Sequence, residues 1–248
     1  MALLEVRNVT RRFGGVVALE GVSFDVPEGA VVGLIGPNGA GKTTAFNLVT
    51  RIYRPDGGDI VFEGESLLET PRHLVVRRGI ARTFQNLEIF RGMTVLENVL
   101  VGAHTRSGFG QEAALRRRAG ELLEYVGLDG LGERPAGELP YGTLKRVETA
   151  RALIAEPKLL LLDEPAGGLN HEEVGALGDF IGRLRADFSL TVLLVEHHMN
   201  LVMRVSELVH VLDFGRHIAS GTPAEVQANP AVIEAYLGTE DDEEEAER

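Results

Sequence analysis

The sequence predicts an α/β fold: a mostly parallel sheet covered by helices, with a helical segment inserted into it. An unbroken apolar run over residues 30–35 leads straight into a glycine-rich turn and then helix-forming residues. After Pro157, short apolar runs alternate with amphipathic helical patterns, the signal of strands joined by crossover helices. Between these regions, roughly residues 86–156, the apolar spacing is helical.

Residues 4–9 alternate loosely and 22–26 read as a strand; Pro27-Glu28-Gly29 marks the turn before the apolar strand 30–35. A helix is expected from Lys42 to about Thr50, and Asp56-Gly57-Gly58 turns the chain into a strand at 60–62. Thr94 and Glu97 have the spacing of a capping box, so a helix should run from there to about Gly102. Leu115, Leu122, Leu123 and Val126 form an apolar stripe on a helix over 111–126, and another helix over 142–155 stops before Pro157. Strands follow at 159–162, 190–195 and 209–212, with helices near 172–185 and 200–205. Thr222-Pro223 opens a last helix, with proline at its first position.

The 248 residues are 44% hydrophobic and 25% charged, enough for a sizeable core. There is no cysteine, which excludes disulfides and thiolate zinc sites. No basic stretch followed by a long apolar run stands at the N-terminus, so no signal peptide is expected. The longest apolar runs are far below the roughly 20 residues that span a bilayer. The net charge of −12 is uneven, with seven acidic side chains against Arg248 over residues 240–248. Residues 239–248 therefore read as a solvated, disordered acidic tail. An acidic chain also argues against nucleic acid as a partner, because that binding needs phosphate neutralisation by Lys and Arg.

Gly36-Pro37-Asn38-Gly39-Ala40-Gly41-Lys42-Thr43 matches G-x-x-x-x-G-K-[ST], with a strand before it and a helix after it. Glycines let successive N–H groups turn towards phosphate oxygens, and the helix N-terminus adds a positive dipole end. Lys42 reaches the β- and γ-phosphates and the Thr43 hydroxyl ligates Mg²⁺; Thr44, the next residue, completes the nucleotide-contacting set. Downstream, four leucines at 159–162 end in Asp163-Glu164. A buried strand delivers these carboxylates to the sheet's carboxyl edge, where open α/β sheets bind ligands. Asp163 is expected to hold Mg²⁺ and Glu164 to orient and deprotonate water. Together the two motifs describe an ATP and Mg²⁺ site.

With these residues in place, the chain resembles the ATP-binding subunits of ABC transporters over almost its whole length. Asp163-Glu164-Pro165 followed by Gly168-Leu169-Asn170 is similar to that family's Walker B and D-loop. The resemblance implies a P-loop NTPase (RecA-like) core, residues 1–85 and 157–238, with an antiparallel β subdomain and an inserted α-helical subdomain at 86–156. It places Gln85 as the Q-loop glutamine, reaching Mg²⁺ or the water, although a surface glutamine would have the same spacing. It places His197 as the switch histidine that contacts the γ-phosphate and holds Glu164 and the water in line. Phe13 falls where the family stacks an aromatic ring on adenine; a core or loop phenylalanine is the alternative. His198 has no assigned task.

One stretch departs from the family. Where its signature reads Leu-Ser-Gly-Gly-Gln, this chain has Leu139-Pro140-Tyr141-Gly142-Thr143. The resemblance implies that two ATPase subunits pair head to tail, each ATP lying between one chain's phosphate loop and the other's signature. Pro140 has neither hydroxyl nor N–H to donate to a γ-phosphate. Tyr141 obstructs close backbone approach, while Gly142 keeps an N–H that can face a phosphate in trans. The expectation is an asymmetric pair with a second, non-identical ATPase subunit, self-pairing being the alternative.

Arg82-Thr83-Phe84-Gln85-Asn86, Met93-Thr94-Val95-Leu96-Glu97-Asn98-Val99, Glu196-His197-His198-Met199 and Ala235-Tyr236-Leu237-Gly238 resemble the ATPase subunits of branched-chain amino-acid importers. That implies transmembrane permease subunits as partners, docked near residues 85–90, and a peripheral place on the cytoplasmic face of the inner membrane. ATPase subunits for urea or amide import, or for lipopolysaccharide export, are similar alternatives. A soluble ABC ATPase of DNA repair or translation is a third, but this chain has no long coiled-coil insertion, zinc cysteines or tandem ATPase units.

Overall fold

The structure is a computed structural model that describes residues 1–83, 87–104 and 112–236. Gln85 and the acidic tail at 239–248 lie outside the described residues. The chain divides into two compact units, one of Met1–Arg72 with Leu161–Arg248, the other of His73–Leu160.

The first unit begins with strands β1 (Ala2–Phe13), β2 (Val16–Pro27) and β3 (Val31–Ile35), then helix α1 (Lys42–Val49) and strands β4 (Gly57–Phe62) and β5 (Glu65–Ser66). The chain returns to it within β7 (Leu159–Asp163) and continues through α5 (His171–Phe188), β8 (Thr191–Val195), α6 (Met199–Val205), β9 (Leu208–Asp213), β10 (Arg216–Gly221) and α7 (Pro223–Gln227). Helical backbone resumes at 230–236.

An antiparallel sheet has the order β2-β1-β4-β5. Its first two strands run well beyond the expected 4–9 and 22–26, because β1 pairs along its length with β2 from Ala2–Pro27 to Phe13–Val16. The polar residues at their ends gain ladder hydrogen bonds that apolar periodicity does not report. The other sheet sets β10-β9-β3-β8-β7 side by side. In it β3 pairs in parallel with both β8 and β9. Strands β3, β7 and β8 are buried at every position. That explains their unbroken apolar sequences: a central strand covered on both faces has no solvent side on which to place polar residues. Strand β10, antiparallel to β9, was not legible, since Arg-His-Ile-Ala-Ser-Gly shows neither alternation nor an apolar run.

The second unit begins within a 3₁₀ turn at Arg72–Arg78 and holds strand β6 (Ile80–Arg82) and helices α2 (Val95–Val101), α3 (Glu112–Tyr125) and α4 (Tyr141–Leu153). Its helix α2 begins as expected: the Thr94 hydroxyl accepts from Glu97 N, and the Glu97 carboxylate accepts from Thr94 N. Val99, Ala119, Leu122, Leu123, Val147 and Leu153 are buried and form its core. Among the described residues no helix is long and apolar enough to cross a membrane.

A buried histidine sits in the first unit. His210 on β9 is 4% exposed. Its Nδ1 lies 2.6 Å from Ser220 Oγ and its Nε2 2.9 Å from the Asp25 carbonyl. Burial pushes its pKa down from 6.5 to about 4, against the opposing hydrogen bond to Asp25 and with a smaller push from His217. The fold keeps the ring neutral, so the unfolded chain takes up the proton first as pH falls. Stability present above pH 6.5 is therefore lost as pH falls towards about 4. Between pH 7 and pH 5 the wild type is expected to lose about 2 kcal/mol more stability than His210→Gln, as read by urea unfolding. Equal losses would show that this ring does not govern acid stability.

Candidate functional site

The phosphate loop is built where β3 ends. Gly36, at φ 152°, sits beneath the Leu212 carbonyl so closely that a Cβ would lie 2.0 Å from that oxygen. Gly41, at φ 100°, is the N-cap of α1, and a Cβ there would meet the Leu19 side chain at 2.6 Å and the Ala18 carbonyl at 2.7 Å. Both positions admit only hydrogen. No side chain caps the first turn of α1, so its N–H groups are left to an external acceptor.

Lys42 leads that helix and is 8% exposed. Its Nζ donates to the Gly36 carbonyl at 2.6 Å and the Pro37 carbonyl at 2.8 Å, folding the ammonium across the loop. An ammonium has a further N–H beyond these two. Burial lowers the Lys42 pKa, and the negative charge of Glu164 opposes that shift. A bound anion would relieve the cost of burying this cation. The loop thus fits a phosphate group on three counts: room only for backbone, uncapped N–H donors and a desolvated cation.

Opposite lie the carboxylates. Asp163 ends β7 and is 3% exposed. Glu164 takes a left-handed backbone, φ 47°, which costs a non-glycine residue about 1–2 kcal/mol. Two backbone bonds hold it there: Glu164 N donates to the Val195 carbonyl at 2.9 Å, and Gly167 N donates to the Glu164 carbonyl at 3.2 Å. Its carboxylate remains 19% exposed, and His197 Nδ1 stands 3.8 Å from Glu164 Oε2. The structure therefore brings Glu164 into electrostatic range of both Lys42 and His197. His198 makes a tilted ring contact with His197, centroids 5.2 Å apart.

Phe13, the last residue of β1, is 38% exposed. Its ring meets Tyr53 edge-on at 5.0 Å, and the Arg11 guanidinium lies over it at 4.6 Å. In the second unit, Pro140 is the N-cap of α4, with Gly142 at its start and Tyr141 52% exposed. The Lys145 ammonium lies 5.2 Å from the Tyr141 ring. No atom beyond its neighbours lies within 4 Å of where a Cβ on Gly142 would be.

Sequence reasoning gave no role to Glu196, which the structure sets between the two loops of the site. It follows β8 and is fully buried. Its Oε1 accepts from Ala166 N at 2.6 Å, and its Oε2 from His197 N at 3.0 Å and His198 N at 3.2 Å. The signal was present: an apolar strand ending in a carboxylate, the same pattern that exposed Asp163. Arg11 and Tyr53 around Phe13 carried no comparable signal.

A phosphate loop, two strand-end carboxylates and a facing imidazole on a largely parallel sheet define a P-loop ATPase cassette. The chain belongs to the ABC transporter family, whose profile matches residues 19–167, and it binds and hydrolyses ATP. A second profile, branched-chain amino acid ATP-binding cassette transporter, matches residues 216–242. The high-affinity branched-chain amino acid transport ATP-binding protein BraF of Pseudomonas aeruginosa is 45% identical, over 95% of this chain and 98% of its own. The corresponding protein LivG of Escherichia coli is 42% identical with the same coverage. A crystal structure of an ATP-binding cassette of an ABC transporter in its ADP conformation superposes with a TM-score of 0.85 at 32% identity, covering 96% of this chain and 99% of that one. A dimeric cassette in a post-hydrolysis state bound to ADP and Pi has a TM-score of 0.79 at 25% identity, covering 89% and 98%.

Gly36→Ala should displace the loop from Leu212 and weaken ATP binding at least about tenfold by calorimetry. Gly39→Ala, with open space around its Cβ position, should cost only about 1 kcal/mol of strain. Equal affinity of Gly36→Ala and wild type would refute the close-approach argument.

Proposed function

We propose that this chain is the ATP-hydrolysing subunit of an importer of branched-chain amino acids, working at the cytoplasmic face of the membrane beneath permease subunits. The observation that carries this reading is identity of 42–45% along 95% of the chain to transport ATP-binding proteins for those solutes. The C-terminal match to the branched-chain profile supports it independently of the ATPase motifs.

The loop Gly36–Thr43 with Thr44 cradles the triphosphate through backbone N–H groups, and Lys42 turns its ammonium from the loop carbonyls to the β- and γ-phosphates. Thr43, Asp163 and Gln85 offer a hydroxyl, a carboxylate and an amide oxygen, the hard donors that suit Mg²⁺. Bound there, Mg²⁺ would neutralise phosphate charge as the terminal bond breaks. Glu164 accepts the proton of the attacking water, which its partly exposed carboxylate can reach. His197, 3.8 Å from Glu164, orients that carboxylate and bonds the γ-phosphate. Phe13 stacks on the base. Catalysis on this reading is positioning and charge stabilisation.

The complete site on this chain and the altered signature at Pro140-Tyr141 favour a heterodimer. This chain's Gly142 keeps a backbone N–H for the partner's ATP but Pro140 has no donor to add, while the partner's own signature completes the site built on Lys42, Asp163, Glu164 and His197. The dimeric cassette among its structural relatives supports pairing as such.

Reconstituted with its permeases and binding protein in proteoliposomes, the complex should show ATP-dependent leucine uptake. Glu164→Gln should bind ATP as tightly as wild type but lower both hydrolysis and uptake at least about hundredfold. Brisk hydrolysis by that variant would remove Glu164 as the base, and uptake of urea or amides in place of leucine would reassign the solute. The double change Pro140→Ser with Tyr141→Gly should raise ATP turnover of the complex about two- to tenfold by restoring a donor in trans. Unchanged turnover would mean that this signature already works.

A further inference from the structure

Glu196 is fully buried, and every hydrogen bond it makes goes to backbone of the two segments that carry the reacting side chains. Oε1 takes the N–H of Ala166, two residues beyond Glu164. Oε2 takes the N–H groups of His197 and of His198, the N-cap of α6. A carboxylate buried merely as filler would be replaced by an apolar side chain at little cost or at a gain. This one instead joins the loop after β7 to the loop after β8.

The link matters because of what the histidine lacks. The His197 side chain is 56% exposed, so packing does little to hold its ring. Its Nδ1 stands 3.8 Å from Glu164 Oε2 and 3.9 Å from Glu196 Oε2, and Glu196 also holds two of the backbone donors there. Glu164 is tied to the same neighbourhood through its own N–H on the Val195 carbonyl. We propose that Glu196 is a positioning residue: it holds the His197 loop and the Glu164–Ala166 turn at one fixed separation, so that imidazole and carboxylate act on the same water. A shift of either segment is thereby passed to the other through a single side chain.

This rests on the roles given above to Glu164 and His197, and the test separates the two ideas. In the assembled transporter, Glu196→Gln keeps shape and volume but places an N–H₂ against a backbone N–H, so one of the two sides must part. The kcat for ATP hydrolysis should fall about tenfold to hundredfold, the scale of an ångström misplacement. The KM for ATP and affinity for a non-hydrolysable analogue should stay within about twofold. Because Glu196 acts through His197, adding Glu196→Gln to His197→Ala should lower kcat little beyond His197→Ala alone, whereas independent effects multiply. Glu196→Asp, which keeps the charge but cannot reach both segments, should lose kcat in the same way and serves where the Gln variant does not assemble. A kcat within twofold of wild type, a loss confined to KM, or losses that multiply would each overturn the proposal. If Glu164→Gln and His197→Ala themselves hydrolyse ATP normally, it is the catalytic assignment that fails.

Discussion

The close approach of Gly36 to the Leu212 carbonyl is the constraint on which the rest of the site depends. It requires that β3 lie directly beside β9, as their parallel register from Val32–Leu208 to Ile35–Val211 provides. With no side chain between them, the chain leaving β3 turns at once into the loop, and α1 starts only seven positions after the strand ends. The loop carbonyls then lie where the Lys42 ammonium can reach back to them. A bulkier residue at Gly36 would move the loop, the helix N-terminus and the lysine together. This is why one glycine outweighs many apolar contacts in a core that is otherwise well packed.

The second requirement is electrostatic. Lys42, Asp163 and Glu196 are each less than a tenth exposed, and Glu164 is largely covered. Charges removed from water must be met by hydrogen bonds or by opposite charge. The chain meets Lys42 with two loop carbonyls and Glu196 with three amides. The lowered Lys42 pKa records the part of its burial that is left unpaid. A polyanionic ligand supplies the missing partner, and an effective dielectric below that of water strengthens every such contact. An anion bound beside Lys42 would therefore relieve part of the cost of burying that cation.

Much of this arrangement was legible in the sequence, for reasons that differ by element. Strands β3, β7 and β8 declared themselves because full burial leaves no polar position, and the phosphate loop because its glycines and lysine serve one geometry. The helix start at Thr94 was readable from its capping box and the one after Thr222 from Pro223 at its first position, and the structure has capping boxes at both. Asn170 was read as part of a D-loop-like stretch, yet it also caps α5, accepting from Glu172 N and Glu173 N while Glu173 caps it in return. What stayed hidden depends on tertiary pairing. Strand β10 is made by its ladder with β9, the ends of β1 and β2 by each other, and the Arg11–Phe13–Tyr53 cluster by residues some forty positions apart in sequence. Glu196 falls between: its pattern was visible, but its acceptor role requires knowing that Ala166 lies across from it.

The departure at the signature shows how fold and function can separate within one helix. Pro140 stands as N-cap of α4 with φ −58° and ψ 153° and accepts through its carbonyl from Thr143 N and Leu144 N. A proline satisfies that geometry with its own fixed φ and needs no N–H to do so. The helix forms behind this proline without the side-chain acceptor that a serine N-cap would offer its first turn, with Leu144, Val147 and Leu153 buried along it. On the pairing proposed above, the substitution also removes a donor that would act only on another molecule. The fold of this chain does not depend on that donor; only the assembled pair does. On the heterodimer proposed above, a partner whose own phosphate loop tolerates a weaker signature is the setting in which Pro140-Tyr141 carries no penalty, and the catalytic set proposed on this chain would then bear the hydrolytic work.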